Sequence, residues 1–136
     1  METFHAAIYR ATSTFYEGEL TSLVVPAVDG QYGVMAKHSD VVIAIVPGHM
    51  HFTLPDGRVV HAACSEGMME VVDNHVMILV DSAEYPEEID EIMAREQEAR
   101  AREAILQKKS REEYYLAEAS LKRALARLKL KHRMDL

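Results

Sequence analysis

AEYPEEID, residues 83–90, is where the hydrophobic period of this sequence changes. Before it, short β-branched runs are cut by turn residues. After it, apolar residues recur at helical spacing. Pro86 suits a first helical turn, and Glu87, Glu88 and Asp90 follow where the positive end of a helix dipole favours acids. The charge balance changes at the same point. Through Tyr85 three bases face eleven acids, a net of −8, whereas from Pro86 onward twelve bases meet eleven acids, a net of +1. These shifts divide the chain into two domains, residues 1–85 and 86–136.

Upstream, Leu20–Val25 stops at Pro26, Val41–Val46 stops at Pro47-Gly48, and Val76–Val80 stops at Asp81. Such runs read as strands. Glu17-Gly18, Asp29-Gly30, Asp56-Gly57 and Asp73-Asn74 lie between apolar segments and suit tight hairpin turns. The clearest hairpin sets Met50–Leu54 against Val59–Ala63. Closely spaced turns with no helical pattern between strands predict an antiparallel β-sandwich or barrel rather than a parallel α/β sheet.

Downstream, Ile89, Ile92, Met93 and Ala99 predict a first helix beginning near Pro86 and ending near Lys108-Lys109. Ser110-x-x-Glu113 is a capping box, so a second helix starts at Arg111. Tyr114, Ala117, Leu121, Ala124, Leu125 and Leu128 form its apolar stripe. The short connection predicts an antiparallel αα-hairpin. Burying Leu121, Leu125 and Leu128 would stabilise its docking by roughly 5–9 kcal/mol before the entropy cost. So slender a contact could be exchanged for another apolar surface.

The chain ends on a cationic segment within an acidic whole, whose net charge is −7. Residues 120–132 carry Lys122, Arg123, Arg127, Lys129 and Lys131 and no acid, and Arg133 follows. Cations complement the negative end of a helix, and they also suit a phosphate-bearing ligand or an acidic protein surface. The acidic first part disfavours nucleic acid. The longest apolar run, Val41–Val46, is far too short to cross a bilayer, and the N-terminus carries no stretch of signal-peptide type. A soluble cytoplasmic chain without membrane insertion is expected.

Other chemistry finds little support. Cys64 is alone and sits among alanines, as a buried inert thiol does. His49 and His51 share a strand face. With a two-residue turn at Asp56-Gly57, His61 would fall opposite Phe52 on the other face, leaving no third metal ligand. Lys37-His38-Ser39-Asp40 cannot converge as a catalytic triad, because neighbouring side chains point apart. Neither a nucleophile elbow nor a phosphate-cradling loop is present. No metal and no catalysis by this chain are expected.

The order and spacing of several segments resemble the epsilon-subunit family of bacterial F-type ATP synthases. These are Tyr16-Glu17-Gly18-Glu19-Leu20 with Val24-Val25-Pro26, Asp29-Gly30-Gln31-Tyr32-Gly33-Val34 with His38, Pro47-Gly48, Gly67–Val71, Val76–Leu79, Asp81–Glu84 and Ile89-Asp90. Where the family commonly reads Leu-Pro-Gly-His and then Ala-Pro, this chain has Met35-Ala36-Lys37-His38 and Ser39-Asp40.

The resemblance implies an α+β chain: a β-sandwich of about ten strands followed by a helical hairpin. It implies a non-catalytic subunit on the rotating central stalk, peripheral at the cytoplasmic face of the bacterial cell membrane. The gamma subunit, the c-subunit ring and the alpha and beta subunits are its implied partners. Asp29, Gly30, Gln31, Tyr32 and His38 fall at the implied rotor contacts. The hairpin is implied to extend and obstruct hydrolysis, with Lys122, Arg123, Arg127, Lys129, Lys131 and Arg133 meeting acidic beta-subunit segments. No cofactor is required. Some members bind ATP on the compact hairpin; the matching positions here are Glu84, Ile89, Asp90, Arg100, Arg123 and Arg127. The family's Ile-Asp-x-x-Arg-Ala becomes Ile89-Asp90-Glu91-Ile92-Met93-Ala94. Losing that guanidinium lowers affinity by about ten- to hundredfold, so weak ATP binding or none is expected. The alternative role is a nucleotide sensor.

Overall fold

Ten strands precede two helices in a computed structural model that describes residues 2–107 and 110–134. The strands are β1 (Phe4–Arg10), β2 (Ser13–Leu20), β3 (Ser22–Ala27), β4 (Gly30–Met35), β5 (Val41–Ile45), β6 (Gly48–Thr53), β7 (Val59–Cys64), β8 (Gly67–Val72), β9 (His75–Val80) and β10 (Ala83–Glu84). They pair in the order β10-β7-β6-β3-β5-β8-β9-β1-β2, with β4 branching from β3. Alternate residues point inward. Phe4, Ile8, Leu20, Leu23, Met50, Phe52, Met69 and Ile78 are fully buried and fill the sandwich. Cys64 lies in the same core, where burial pushes its thiol up to about 12 and leaves it inert.

Three strand expectations need correction. The run Leu20–Val25 is divided between two strands. Thr21 breaks it by turning its N–H and its hydroxyl onto the Thr53 carbonyl, at 2.9 and 3.3 Å. Pro26 does not end β3 but lies within it opposite Gln31, and its carbonyl accepts the Val46 N–H at 3.0 Å. Gly18 makes no turn; it sits inside β2 opposite Ala6, with the Tyr16 ring laid over it and the Tyr16 hydroxyl donating to Glu19 O at 3.0 Å.

The sheet is not wholly antiparallel either. β1 runs parallel to β9, from His5 opposite His75 to Tyr9 opposite Leu79. The Asp73-Asn74 turn is as expected: both residues have positive φ, 49° and 62°, and Val72 pairs with His75 across it.

The β6–β7 hairpin carries the correction with most consequence. A two-residue turn would set Phe52 opposite His61. Instead Thr53 pairs with Val59, Phe52 with Val60 and His51 with His61. Leu54 N–H bonds Arg58 O at 2.8 Å and Gly57 N–H bonds Leu54 O at 2.9 Å, so the loop holds one residue more, with Gly57 at φ 93°. A one-residue shift moves a side chain to the opposite face. His61 therefore joins His49 and His51 on the outer face.

The helical part starts later than Pro86. Pro86–Glu88 form one 3-10 turn, closed by Glu88 accepting the Tyr85 N–H at 3.0 Å. Ile89 is extended, and Asp90 caps α1 (Glu91–Gln107) by accepting the Met93 N–H at 3.1 Å. Ser110 caps α2 (Arg111–Met134) as expected, accepting the Glu113 N–H at 3.1 Å. The lysines expected at the end of the first helix, Lys108 and Lys109, lie outside the described residues.

The expected stripes are also wrong in part. Ile92 and Met93 are exposed, and so is Leu125. Ala94 and Ala101 on α1, with Ala117 and Ala124 on α2, are buried instead. Gln97 Nε2 donating to Ser120 Oγ at 3.2 Å fixes an antiparallel register that faces these alanines across a close seam. Alanines permit close approach but bury little area per residue.

Candidate functional site

The helix α2 lies on the outer face of the β6–β7 hairpin, and what holds it there is the candidate site. Its one large fully buried side chain is Leu130, clustered with Ile89 and Ala63. The rest is polar. Arg123 reaches across to Glu66, Nη1 to Oε1 at 2.5 Å. Arg127 grips Glu84 at two points, Nε to Oε1 at 2.7 Å and Nη2 to Oε2 at 3.2 Å, and donates through Nη1 to Gln97 at 3.2 Å. The Nε–Oε1 contact lacks hydrogen-bond alignment, so attraction there is Coulombic. Lys131 donates to Pro86 O at 3.2 Å. A cleft of about 430 Å³ remains between α2 and the sandwich, bordered by Pro26, Gly48, His49, Lys129 and Arg133.

Glu84 is placed by β10, whose pairing sets it opposite Ala63 on the same outer face. Glu66 stands in the β7–β8 connection. The two acids meet arginines one helical turn apart, a spacing that puts both guanidiniums on one side of α2. Glu84 and Arg127 are three-quarters or more buried, whereas Glu66 and Arg123 are a third or more exposed. Removing one partner of the first pair therefore costs more than removing one of the second.

The remaining cations are differently engaged. Lys122 pairs within its own helix, with Glu118 at 3.4 Å. Lys129 has no ion pair among the described residues. Arg133 Nη1 faces His49 Nδ1 at 3.5 Å. Of the positions matched to ATP binding, Glu84 and Arg127 touch each other, Ile89 packs under Leu130, and Asp90 caps α1. Arg123 is taken by Glu66, while Arg100 is exposed on α1 and makes no ion pair among the described residues.

Asp29 lies in the exposed turn between β3 and β4, and Gly30 and Gln31, also exposed, open β4 opposite Ala27 and Pro26. Beside them His38 Nδ1 donates to Ser39 O at 2.7 Å, so its Nε2 accepts the Tyr32 hydroxyl at 3.1 Å. Asp40 turns elsewhere, accepting the Asp73 N–H at 3.0 Å. Lys37 has φ 65° and takes the position where the resembled family commonly carries glycine. A side chain in that region costs about 1–2 kcal/mol, partly offset by glycine's greater chain entropy. Lys37→Gly is expected to raise unfolding stability by about 0.5–1 kcal/mol, measured by urea denaturation.

The sequence reading missed three parts of this site. Glu66 carried no motif. Leu130 stood off the expected stripe by two residues. The histidines His49, His51 and His61 meet with ring centroids 5.0, 5.3 and 5.8 Å apart, a result of the one-residue loop extension. His49 Nε2 lies 2.8 Å from His61 Nδ1. Burial foremost, then His61, His51, Arg133 and Lys129, lowers the His49 pKa to about 4. His51 and His61 are also pushed down, first by burial and then by neighbours including Arg133.

Residues 3–86 match the family model described as ATP synthase, Delta/Epsilon chain, beta-sandwich domain, and residues 87–131 the one described as ATP synthase, Delta/Epsilon chain, long alpha-helix domain. The chain is 40% identical over 129 residues to the ATP synthase epsilon chain of Caldanaerobacter subterraneus subsp. tengcongensis, covering 95% of this chain and 94% of the relative. It is 35% identical over 133 residues to that of Ruminiclostridium cellulolyticum, covering 98% of each. In fold it matches a chain of the Euglena gracilis mitochondrial ATP synthase with TM-score 0.79 at 21% identity, over 93% of this chain and 79% of that one. A chain of the Tetrahymena thermophila mitochondrial ATP synthase matches with TM-score 0.65 at 11% identity, over 96% and 97%.

Proposed function

Because the chain belongs to the delta/epsilon family of ATP synthases, we propose that it is a non-catalytic central-stalk subunit whose hairpin regulates ATP hydrolysis. The sandwich binds the gamma subunit and rests on the c-subunit ring, with the Asp29–Tyr32 segment and His38 at that contact. The helices answer to the alpha and beta subunits. The protein sits peripherally at the cytoplasmic membrane face, and no described helix is long and apolar enough to cross a bilayer.

One observation supports the regulatory part. The same arginines that make α2 cationic are held in the compact form by Glu66 and Glu84. These acids stand in for an acidic partner surface, so release of the hairpin exposes a charged face already matched to acids. Exchange of one set of ion pairs for another keeps the free-energy difference between the two states small. Removing residues 110–136 is expected to raise ATP hydrolysis by the assembled enzyme about fivefold, as removal of a bias of about 1 kcal/mol would. Unchanged hydrolysis would remove the regulatory part.

The nucleotide-sensing alternative requires a triphosphate to displace both acids from the arginines, and Met93 offers it no charge. We propose weak ATP binding or none. Calorimetry on the isolated chain at millimolar ATP tests this, and a strong heat of binding abolished by Arg123→Ala would reverse it.

A further inference from the structure

We propose that His49, His51 and His61 form a proton-operated latch beneath α2, which holds the hairpin down while the three rings are neutral and expels it when they take up protons. The proposal rests on the reading of α2 as a detachable helix and adds the signal that detaches it.

The geometry requires a neutral His49 in the docked form. Arg133 carries only donors, so the His49 Nδ1 that faces it at 3.5 Å presents a lone pair. Its Nε2–H then donates to His61 Nδ1 at 2.8 Å. A proton added to Nδ1 would oppose the guanidinium directly. One added to His61 Nδ1 would break the ring-to-ring bond. The His51 ring lies tilted 5.3 and 5.8 Å from those of His49 and His61, so charge on any one is felt by all three.

The surroundings leave such a charge uncompensated. From α2, Lys129 and Arg133 face the cluster, and both lower the His49 pKa. Arg127, further along the same helix, is already neutralised by Glu84, the acid that β10 contributes to this face. On β3, Val24 lies opposite His51 and brings no charge. In the 3-10 turn, Glu87 and Glu88 are exposed, and the Glu88 carboxylate is bonded to Tyr85 N–H. The same arrangement disfavours a metal ion. The nitrogens of His49 and His61 point at each other, a guanidinium stands beside them, and among the described residues no three donors are disposed to hold a metal.

The direction follows from linkage. The docked form holds these rings' pKa values below the ordinary value of about 6.5, so protons bind the undocked form more tightly. Docking is strongest above that value and weakens as pH falls through it. The loss levels off near the docked His49 value of about 4. Because the rings are only partly buried, the expected effect is set below the full linkage, at about tenfold.

Methyl NMR of the full chain tests the latch, because in the docked form Leu130 of α2 packs on Ala63 and Ile89. The undocked fraction is expected to rise about tenfold between pH 7.5 and 5.0. In H49Q/H51Q/H61Q the rise should vanish. In K129Q/R133Q, which keeps all three imidazoles, it should shrink to about threefold, and His49 should titrate at higher pH. Ion pairs of α2 with Glu66 and Glu84 are common to all variants, so their share cancels. A wild-type fraction that ignores pH, an undiminished rise in the glutamine variant, or an unchanged rise in K129Q/R133Q would overturn the proposal. The last comparison decides alone if the triple variant fails to fold. If docking follows pH in the isolated chain while hydrolysis by the assembled enzyme does not, the latch stands and the regulatory reading falls.

Discussion

Glu84→Gln is expected to free the hairpin while leaving the sandwich intact. The substitution keeps the shape of the side chain and every cation of α2, but strands the Arg127 guanidinium, which is only 22% exposed. Leaving one partner of a buried pair uncompensated costs about 3–5 kcal/mol, and partial solvent access reduces this to about 2 kcal/mol here. The docking equilibrium then shifts about thirtyfold. Hydrogen exchange should show α2 amides losing protection while those of β8 and β9 keep theirs. Glu66→Gln acts in the same direction but more weakly, since its pair is more exposed. In the assembled enzyme the two substitutions should lower hydrolysis, the opposite of removing the hairpin, because a released helix retains all its charge. Hydrolysis that rises in Glu84→Gln would contradict the idea that the extended form inhibits.

Gly67→Ala should damage the sandwich itself. Gly67 opens β8 directly opposite Val80 on β9. A Cβ there would stand 2.0 Å from the Leu79 carbonyl oxygen and 2.6 Å from Val80 Cγ1. The oxygen belongs to the backbone, so no side-chain rotation relieves the clash and the two strands must separate. Overpacking of this kind costs about 3 kcal/mol, or roughly 10 °C in Tm for a chain of this size. Thermal unfolding followed by circular dichroism measures it. Gly30→Ala meets nothing within 4 Å but sits at φ 118°, so its cost is conformational only and should be smaller.

These effects also separate what the sequence could reveal from what it could not. Strand and helix periods were legible because each face either meets the core or does not, and Pro86 stands where the sheet has ended. The Ser110 cap was legible because capping is local chemistry. The register of β6 against β7 was not. Pro55-Asp56-Gly57-Arg58 suits loops of more than one length, and only the partner strand decides between them. That single residue hid the histidine cluster. The α2 docking face was hidden differently: Leu121, Leu125 and Leu128 have the right spacing, yet pairing of Arg123 and Arg127 with Glu66 and Glu84 turns the helix until Leu130 faces inward. Charge partners 40 or more residues apart leave no periodic trace.

The parallel pairing of β1 with β9 has a consequence for how the polypeptide is born. At about 5–20 residues per second, the 64 residues between these strands take several seconds to emerge from the ribosome. Through that interval β1 has β2 on one edge and nothing on the other, and Ile8 and Ala6 await their cover. The nascent sheet closes along this edge of β1 only when His75–Val80 arrives. The two helices, translated after the ten strands, settle onto a surface that is by then complete.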